Sequence, residues 1–271
     1  MNRKEKLEKL KERLRELGSV AVAYSGGVDS NFLLKVANDT LGNKAIAVTI
    51  HAMMHSNREI EEAKKYTMLF NAKHIVVNID NFEVEEFIKN TPQRCYYCKT
   101  SVFTKIKEIA KENNIEYVVD GTNLDDLGDY RPGLKALEEL NIISPLKECG
   151  FTKEDIRILS KEMNLETYKK PAFACLATRI PYGTKITNDR LRMIEQSEDF
   201  LQDIGFSQFR VRVHGNIARI EVKKEEIQKF FTENLLEKTN SRLKEIGFEY
   251  VTLDMAGYRM GSMNGEVKNH L

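Results

Sequence analysis

The stretch Ser25-Gly26-Gly27-Val28-Asp29-Ser30 has the residue types and the spacing of a loop that binds phosphate. It follows the apolar run Val20–Ala23 and opens a helical pattern. Glycine lets the backbone approach an anion closely, and the first turn of a helix presents amide groups and a positive dipole to it. The serine hydroxyls add donors, and the Asp29 carboxylate could bind Mg²⁺. Because no Gly-Lys-Ser/Thr follows at the spacing of the common ATPase loop, we predict a different class of nucleotide-phosphate site.

Three cysteines form a second group of residues, which could bind a metal or take part in redox chemistry. Cys95 and Cys98 stand three residues apart at the start of a helical pattern, between basic neighbours, and both features favour thiolates. Cys175 lies in a distant loop that contains proline and arginine. Three thiolates without a fourth suit an iron–sulfur cluster with one open iron, whereas structural zinc takes four ligands. Two alternatives stay open: zinc at Cys95 and Cys98, and Cys149 as a fourth ligand, although it stands outside any cysteine motif.

An acidic turn follows the apolar run Tyr117–Val119. Gly121 lies near its beginning, and Asp125 and Asp126 follow. Carboxylates at a strand end could hold Mg²⁺ against pyrophosphate, and an ordinary solvated loop is the alternative. His51, at the end of another apolar run, could also contact the nucleotide, although a single histidine at a strand end is more often structural.

Arginines form the last group, because planar guanidinium groups bind phosphate well. Those in loops or at predicted strand ends are Arg179, Arg210, Arg212 and Arg259. Arg210 and Arg212 alternate with apolar residues, which places both on one face of a predicted strand. A ligand phosphate is one interpretation, and simple exposure to solvent is the alternative for one of the two.

Apolar runs alternate with helical patterns through the first part of the chain, which predicts a parallel sheet with right-handed crossovers. The apolar runs are Val20–Ala23, Ala45–Ile50, His74–Ile79 and Tyr117–Val119. The helical patterns between them are Asn31–Asn38, Asn57–Phe70 and Ser101–Asn113. Ligands of such sheets bind at the carboxyl ends of the strands, so we expect the Ser25–Ser30 loop, His51 and Gly121 at one edge.

The pattern changes after a loop at residues 171–187 that contains prolines and a glycine. Shorter elements then predict a small α/β domain: helix Asp189–Ile204, strands Phe209–Val213 and Ala218–Val222, helices Lys224–Phe231 and Ser241–Ile246, and strand Tyr250–Leu253. We place the domain boundary between residues 1–182 and 183–271.

Composition narrows the class of protein. The chain has 271 residues, 41% of them hydrophobic, and a net charge of +1, and its mean hydropathy is −0.45. It has no apolar stretch long enough to span a bilayer and no apolar core of a signal peptide, so we expect a cytoplasmic protein. The near-neutral charge argues against nucleic acid as a partner.

With these residues the chain resembles the LarE family over nearly its whole length. The resemblance rests on Ser25–Ser30, Arg94–Lys99, Asp120–Asn123 with Asp125 and Asp126, 174–183, and Gly257–Ser262. The first motif is shared by the PP-loop (N-type) ATP pyrophosphatases, which split ATP between its α and β phosphates, and the cysteine motifs are more specific. The resemblance implies a Rossmann-like parallel sheet of the adenine nucleotide alpha hydrolase type with a smaller C-terminal α/β domain.

The resemblance also implies a reaction. Members of the family adenylate the carboxylates of pyridinium-3,5-biscarboxylic acid mononucleotide and replace oxygen by sulfur, and the product becomes the nickel-pincer nucleotide. ATP and Mg²⁺ would bind at the Ser25–Ser30 loop with His51, Gly121 and Asp125. Members with a single cysteine, at the position of Cys175, give up its sulfur. Others hold a 4Fe–4S cluster on three cysteines, and its open iron carries sulfide.

All three of those positions are present here, at Cys95, Cys98 and Cys175, so the resemblance implies the cluster form and leaves a sacrificial Cys175 as the alternative. The residues implied to bind the substrate are Arg179, Arg212 and Arg259 at its phosphate, with Thr178 beside them and Tyr97 stacked on the pyridinium ring. The family further implies a homo-oligomer, hexamers among its members, that hands its small-molecule product to a nickel-inserting enzyme.

Other functions remain as alternatives. An iron–sulfur-dependent tRNA thiolase of the same superfamily would need a basic face, and its RNA binding would weaken with salt. A nitrogen-transfer synthetase would need a glutaminase-like domain, which the sequence does not indicate. A non-catalytic nucleotide-binding iron–sulfur sensor would bind ATP without releasing pyrophosphate.

Overall fold

The computed structural model describes residues 1–79, 84–128, 132–171, 174–232 and 234–259. The chain forms two compact units: residues 1–84 with 93–173, and residues 85–92 with the chain from Ala174 onward. The division after residue 173 precedes the predicted boundary after residue 182. Residues 176–179 fold with the second unit because they pack against its helix Asn188–Asp203 and its strand Phe209–His214.

Within its described residues, the first unit contains a sheet of four strands. The strands are β1 (Val20–Ala23), β2 (Ala45–His51), β3 (Lys73–Asn78) and β4 (Tyr117–Val119). Their order is β3-β2-β1-β4, and every pairing is parallel. The largely apolar strands β1 and β2 are almost entirely buried, as expected of strands covered by helices on both faces. The predicted parallel α/β sheet is confirmed.

Helices surround this sheet. Numbered along the whole chain, they are α1 (Arg3–Leu17), α2 (Val28–Leu41), α3 (Asn57–Leu69), α4 (Glu85–Ile88), α5 (Arg94–Glu112), α6 (Pro132–Glu139), α7 (Pro145–Glu148), α8 (Lys153–Glu162), α9 (Asn188–Asp203) and α10 (Leu235–Ile246). α4, α9 and α10 belong to the second unit. Thr152 caps α8 by accepting from the backbone amide of Asp155.

The described part of the second unit contains a three-stranded sheet. Its strands are β5 (Phe209–His214), β6 (Ile217–Val222) and β7 (Tyr250–Leu253). Their order is β5-β6-β7, with β5 antiparallel and β7 parallel to β6. The predicted helix over Lys224–Phe231 is a 3₁₀ helix. Its first turn closes with the i→i+3 bond from the Glu226 amide to the Lys223 carbonyl, at 2.9 Å.

The core of the first unit lies where α1, α2 and α8 cover β1. It contains Leu10 and Leu14 of α1, Phe32 of α2 and Ile156 of α8, each fully buried. This packing fixes the start of α2, and the loop before it, at the carboxyl edge of the sheet. Among the helices that the structure describes, none combines the length and the apolar character that crossing a membrane requires.

Candidate functional site

The Ser25–Ser30 loop connects β1 to α2. Helix α2 begins at Val28 after Gly27, and no side chain of the described residues caps its first turn. The two serine hydroxyls lie 3.1 Å apart, and the Ser25 amide donates to Ser30 Oγ at 3.3 Å. Gly26 has a φ of +68°, and a Cβ there would stand 3.0 Å from the Cβ of Ala63. The loop therefore needs glycine at this position and leaves helix amides open to an anion.

A network of buried polar groups holds the Ser25–Ser30 loop in position. Thr49 Oγ1 donates to the Tyr24 carbonyl at 2.7 Å, and Tyr24 Oη donates to Asn31 Oδ1 at 2.7 Å. His74 lies between two threonine hydroxyls, with its Nε2 2.7 Å from Thr49 Oγ1 and its Nδ1 3.0 Å from Thr67 Oγ1. Asn31 Nδ2 in turn donates to Thr167 Oγ1 at 3.0 Å. The network fixes the residue before Ser25 and the first turn of α2.

The acidic turn after β4 contacts the same loop. A Cβ on Gly121 would lie 3.0 Å from the backbone nitrogen of Ser30, so this glycine allows the turn to pass against the start of α2. The carboxylate of Asp120 is buried and accepts from Ser144 Oγ at 2.6 Å and from the Thr122 hydroxyl. Gly121 thus lies where the sequence predicts it, and Asp120 stabilises the turn.

Asp29 is held by a lysine that the sequence analysis missed. Lys153 Nζ donates to Asp29 Oδ2, and the backbone amide of Lys153 donates to Asp125 Oδ2 at 2.7 Å. Burial raises the pKa of the Asp29 carboxyl, and Lys153 opposes that shift. Asp29 Oδ1 is buried and accepts no hydrogen bond from any residue that the structure describes. A buried carboxylate oxygen without a donor suits a hard cation, so this position fits Mg²⁺.

A second lysine that the sequence analysis missed contacts the loop at Gly26. Lys170 Nζ donates to the Gly26 carbonyl at 3.3 Å and forms an ion pair with Glu62 at 2.6 Å. The carbonyl of Lys170 accepts from Arg157 Nη2 at 2.8 Å. Lys153 and Lys170 therefore place ammonium groups at Asp29 and at Gly26, and cations suit a site for a polyphosphate.

His51 and Tyr97 lie in the first unit as well. His51 ends β2 at the carboxyl edge, where its Nδ1 lies 3.0 Å from Asn78 Oδ1. Tyr97 stands edge-on to Tyr96, with ring centroids 5.2 Å apart, and lines a groove of about 660 Å³ together with Asn78 and Ser101. A groove of this volume can take a planar ring with its substituents.

Cys95 lies in the first turn of α5 and Cys98 follows one turn later on the same face, and both are partly exposed. Cys149 is different, because it is 1% exposed and packs in the core of the first unit. Burial also raises the pKa of its thiol. A buried, protonated thiol is inert, which favours the prediction that Cys149 is uninvolved.

Cys175 precedes a short 3₁₀ helix, Leu176–Arg179, and its backbone is fixed by the arginine of that helix. Arg179 Nη1 donates to the carbonyls of Ala174 and Cys175, at 2.5 and 3.1 Å. The same guanidinium forms a two-pronged pair with Glu198, at 2.8 and 2.7 Å, and is 1% exposed. Thr178 Oγ1 donates to the Cys175 carbonyl at 2.8 Å. These contacts favour a positioning role for Arg179 beside Cys175; its contact with a substrate phosphate stays a prediction.

The remaining arginines differ in exposure. Arg212 is buried and pairs with Glu221 at 2.8 Å, and it also donates to the Thr178 carbonyl at 3.1 Å. Arg210 is buried too, and burial lowers its pKa to about 10. Solvent exposure, the alternative left open for one of these two, is therefore wrong. Arg259 is exposed; the residues after it in the Gly257–Ser262 motif lie outside the described residues.

Asn90 was missed by the sequence analysis. Its fully buried side chain donates to the carbonyls of Ile180, Pro181 and Thr184, at 3.3, 2.8 and 2.9 Å. It has a φ of +57°, a conformation that asparagine tolerates better than most residues. Asn90 therefore shapes the loop that follows Cys175, and the distance between the two in the chain hides this role from the sequence.

The described residues contain no complete site for a metal that needs three or more side-chain ligands. Among the residues that the structure describes, no group of three or more histidine, cysteine, aspartate or glutamate side chains is arranged to hold a metal. Mg²⁺ needs no such group, because it takes one or two carboxylates together with phosphate oxygens and water. Cys95 and Cys98 belong to the first unit and Cys175 to the second. The three-thiolate cluster site stays a prediction.

Comparison with known proteins identifies the family of the chain. Residues 5–110 match the model of the asparagine synthase family. The chain is 37% identical to the pyridinium-3,5-bisthiocarboxylic acid mononucleotide synthase of Lactiplantibacillus plantarum, over 93% of this chain and 91% of that protein. It is 38% identical to an uncharacterized protein of Synechocystis (96% and 97% covered) and 34% identical to one of Methanocaldococcus jannaschii (94% and 97%). The chain therefore belongs to the LarE family of ATP-dependent sulfur transferases, within the PP-loop ATP pyrophosphatases.

Proposed function

We propose that this enzyme adenylates the carboxylates of pyridinium-3,5-biscarboxylic acid mononucleotide and replaces oxygen by sulfur, for synthesis of the nickel-pincer nucleotide. The observation that carries the proposal is the open first turn of α2 beside Asp29, which suits a metal-bound triphosphate. The name of the Lactiplantibacillus plantarum relative, which shares 37% identity, supports the choice of substrate.

The first half of the reaction activates a carboxylate. One carboxylate oxygen of the substrate attacks the α-phosphorus of ATP, the new O–P bond forms, and the bond to the β-phosphate breaks as pyrophosphate leaves. The amides at the start of α2 and the hydroxyls of Ser25 and Ser30 would hold the phosphates, and Asp29 would hold Mg²⁺, which neutralises the charge on the leaving pyrophosphate. Gly121, His51 and Asp125 border the same edge and would contact the nucleotide.

The second half delivers sulfur. A sulfide attacks the acyl carbon, the C–S bond forms, and the C–O bond breaks as AMP leaves. Cys95, Cys98 and Cys175 would together hold a 4Fe–4S cluster, which when bound supplies an open iron able to carry sulfide. Arg179 and Thr178 hold the backbone of Cys175. The alternative is that Cys175 gives up its own sulfur, once per chain.

The substrate itself would lie against arginine and tyrosine side chains. We propose that Arg259 and Arg212 contribute to binding of its phosphate, and that Tyr97 stacks on the pyridinium ring. The homo-oligomeric state, the cytoplasmic location and the transfer of product to a nickel-inserting enzyme also stay predictions.

The function is tested with protein purified without oxygen. Incubation with the pyridinium dicarboxylate mononucleotide, MgATP and sulfide should release pyrophosphate and AMP, and mass spectrometry should find sulfur in the pyridinium product. About four irons with matching labile sulfide per chain would support the cluster form. Pyrophosphate release that requires tRNA would instead indicate the thiolase, and ATP binding without release under either substrate would indicate the sensor.

A further inference from the structure

We propose that Lys153 is a charge-balancing residue that makes metal binding at Asp29 depend on the phosphates of the nucleotide. The inference rests on the proposed function, since it assumes that ATP binds at the Ser25–Ser30 loop. It adds a residue outside every motif that the sequence analysis identified.

The contacts of the pair are asymmetric. The Lys153 ammonium group donates to Asp29 Oδ2, whereas Oδ1 is buried and accepts no hydrogen bond within the described part of the chain. The two side chains are 32% and 22% exposed. One oxygen of the carboxylate is therefore occupied by an internal cation, and the other remains able to bind a metal.

The lysine is held in place by the fold. It begins helix α8, its backbone amide donates to Asp125 Oδ2 at 2.7 Å, and α8 packs against α2 through the buried Ile156. Asp29 lies in the first turn of α2. Because both helices are fixed by the core, the backbones of Lys153 and Asp29 are held where their side chains can form this ion pair.

The charge of Lys153 couples metal binding at Asp29 to the nucleotide. Without nucleotide, the Lys153 ammonium neutralises Asp29, so a divalent cation at Oδ1 meets little net attraction and a nearby positive charge. When a triphosphate occupies the loop, its negative charges attract the metal and offer the lysine a second acceptor. Metal and nucleotide then bind with positive coupling, and the coupling is reciprocal.

The test measures metal binding directly. Mn²⁺, which takes the same oxygen ligands as Mg²⁺, is titrated by electron paramagnetic resonance with and without α,β-methylene ATP, which cannot be cleaved at the reacting bond. In Lys153→Met we expect Mn²⁺ alone to bind about tenfold more tightly, because the competing charge is gone. We expect the ATP analogue to bind about tenfold more weakly, because a cation near the phosphates is lost.

Two further variants make the result specific. Lys35→Met removes a lysine of the same helix as Asp29, paired with Asp39 at 2.6 Å on the surface, and should leave Mn²⁺ binding unchanged. Lys153→Arg keeps the charge and should keep the coupling. Thermal unfolding of each variant confirms that it folds.

The opposite signs of the two changes exclude a merely structural lysine. Unchanged or weaker Mn²⁺ binding in Lys153→Met, or an equal gain in Lys35→Met, would overturn the proposal while leaving the proposed function intact. Failure of the unsubstituted enzyme to bind the ATP analogue would instead overturn the proposed function, and this inference with it.

Discussion

Gly121 lies so close to the start of α2 that a Cβ on it would stand 3.0 Å from the backbone nitrogen of Ser30 and 3.2 Å from the Cβ of Asp29. The turn after β4 therefore packs directly against the Ser25–Ser30 loop. This close packing is possible only because residue 121 has no side chain. These neighbours are backbone atoms of Ser30 and Asp29 and the Cβ of Asp29, none of which can move aside as the end of a flexible side chain can.

The variant Gly121→Ala should therefore damage both folding and nucleotide binding. We expect the free energy of unfolding to fall by about 1–3 kcal/mol from overpacking. We expect the Kd for ATP to rise about tenfold, or about 1.4 kcal/mol, because the amides of the first turn are displaced. Calorimetry and chemical denaturation measure the two effects. Gly18→Ala is the control, because its φ of +71° makes the change costly although nothing lies near the added methyl group; it should destabilise without weakening ATP binding.

The pair of Arg179 and Glu198 should be essential to the stability of the second unit. Both side chains are almost fully buried, and Glu198 Oε1 also accepts from the Val211 amide at 2.9 Å. Glu198→Gln removes the charge that compensates a buried guanidinium, and we expect a loss of about 3–5 kcal/mol in the free energy of unfolding. The surface pair of Arg192 and Asp189 is the matched control, and Asp189→Asn should cost about 1 kcal/mol or less. Equal losses in both variants would contradict the argument.

His74 should make the stability of the protein depend on pH. Burial lowers its pKa from 6.5 to about 4. Between these values the unfolded chain binds a proton that the folded chain does not, so stability falls as pH drops through this window and is unaffected above it. His74→Gln should flatten the dependence of the melting temperature on pH from 7 to 4. Burial lowers the pKa of His55 to about 4 as well, so the double variant with His55→Gln should be flatter still. A slope identical to that of the unsubstituted chain would refute the assignment.

Substitution of Cys95 or Cys175 should lower the iron content of the protein, whereas substitution of Cys149 should not. Under our proposal, Cys95→Ala and Cys175→Ala each lose a cluster ligand, so iron per chain should fall severalfold and sulfur transfer should stop. Cys149→Ala should keep its iron, because that thiol lies in the hydrophobic core, and should lose about 1 kcal/mol of stability from the small cavity. The measurement is the amount of iron per chain in each variant, purified without oxygen. Loss of iron from Cys149→Ala alone would make it a ligand and reverse the assignment.

Features that depend on residues close together in the chain could be predicted from the sequence alone. The apolar runs predict β1 and β4 to the residue, because a parallel strand covered on both faces is composed mostly of apolar residues. The Ser25–Ser30 loop is recognisable because strand, glycines and helix start are contiguous. Helix limits were less accurate: the apolar pattern that starts at Ser101 belongs to α5, which begins at Arg94, and only the placement of Cys95 and Cys98 at the start of a helical pattern indicated the longer helix.

The contacts between charged or polar groups that lie far apart in the chain could be seen only in the tertiary structure. Lys153 and Asp29 are 124 residues apart in the chain, and Lys170 is 144 residues from Gly26. With 42 lysine and arginine residues in the sequence, nothing marks these two in advance. Lys153 reaches the Ser25–Ser30 loop because α8 packs against α2, and Lys170 reaches it because the 3₁₀ helix before it, Glu166–Lys169, packs against both helices. Burial of apolar surface drives that packing. Which lysines neutralise a carboxylate and which are only solvated is thus a consequence of the core.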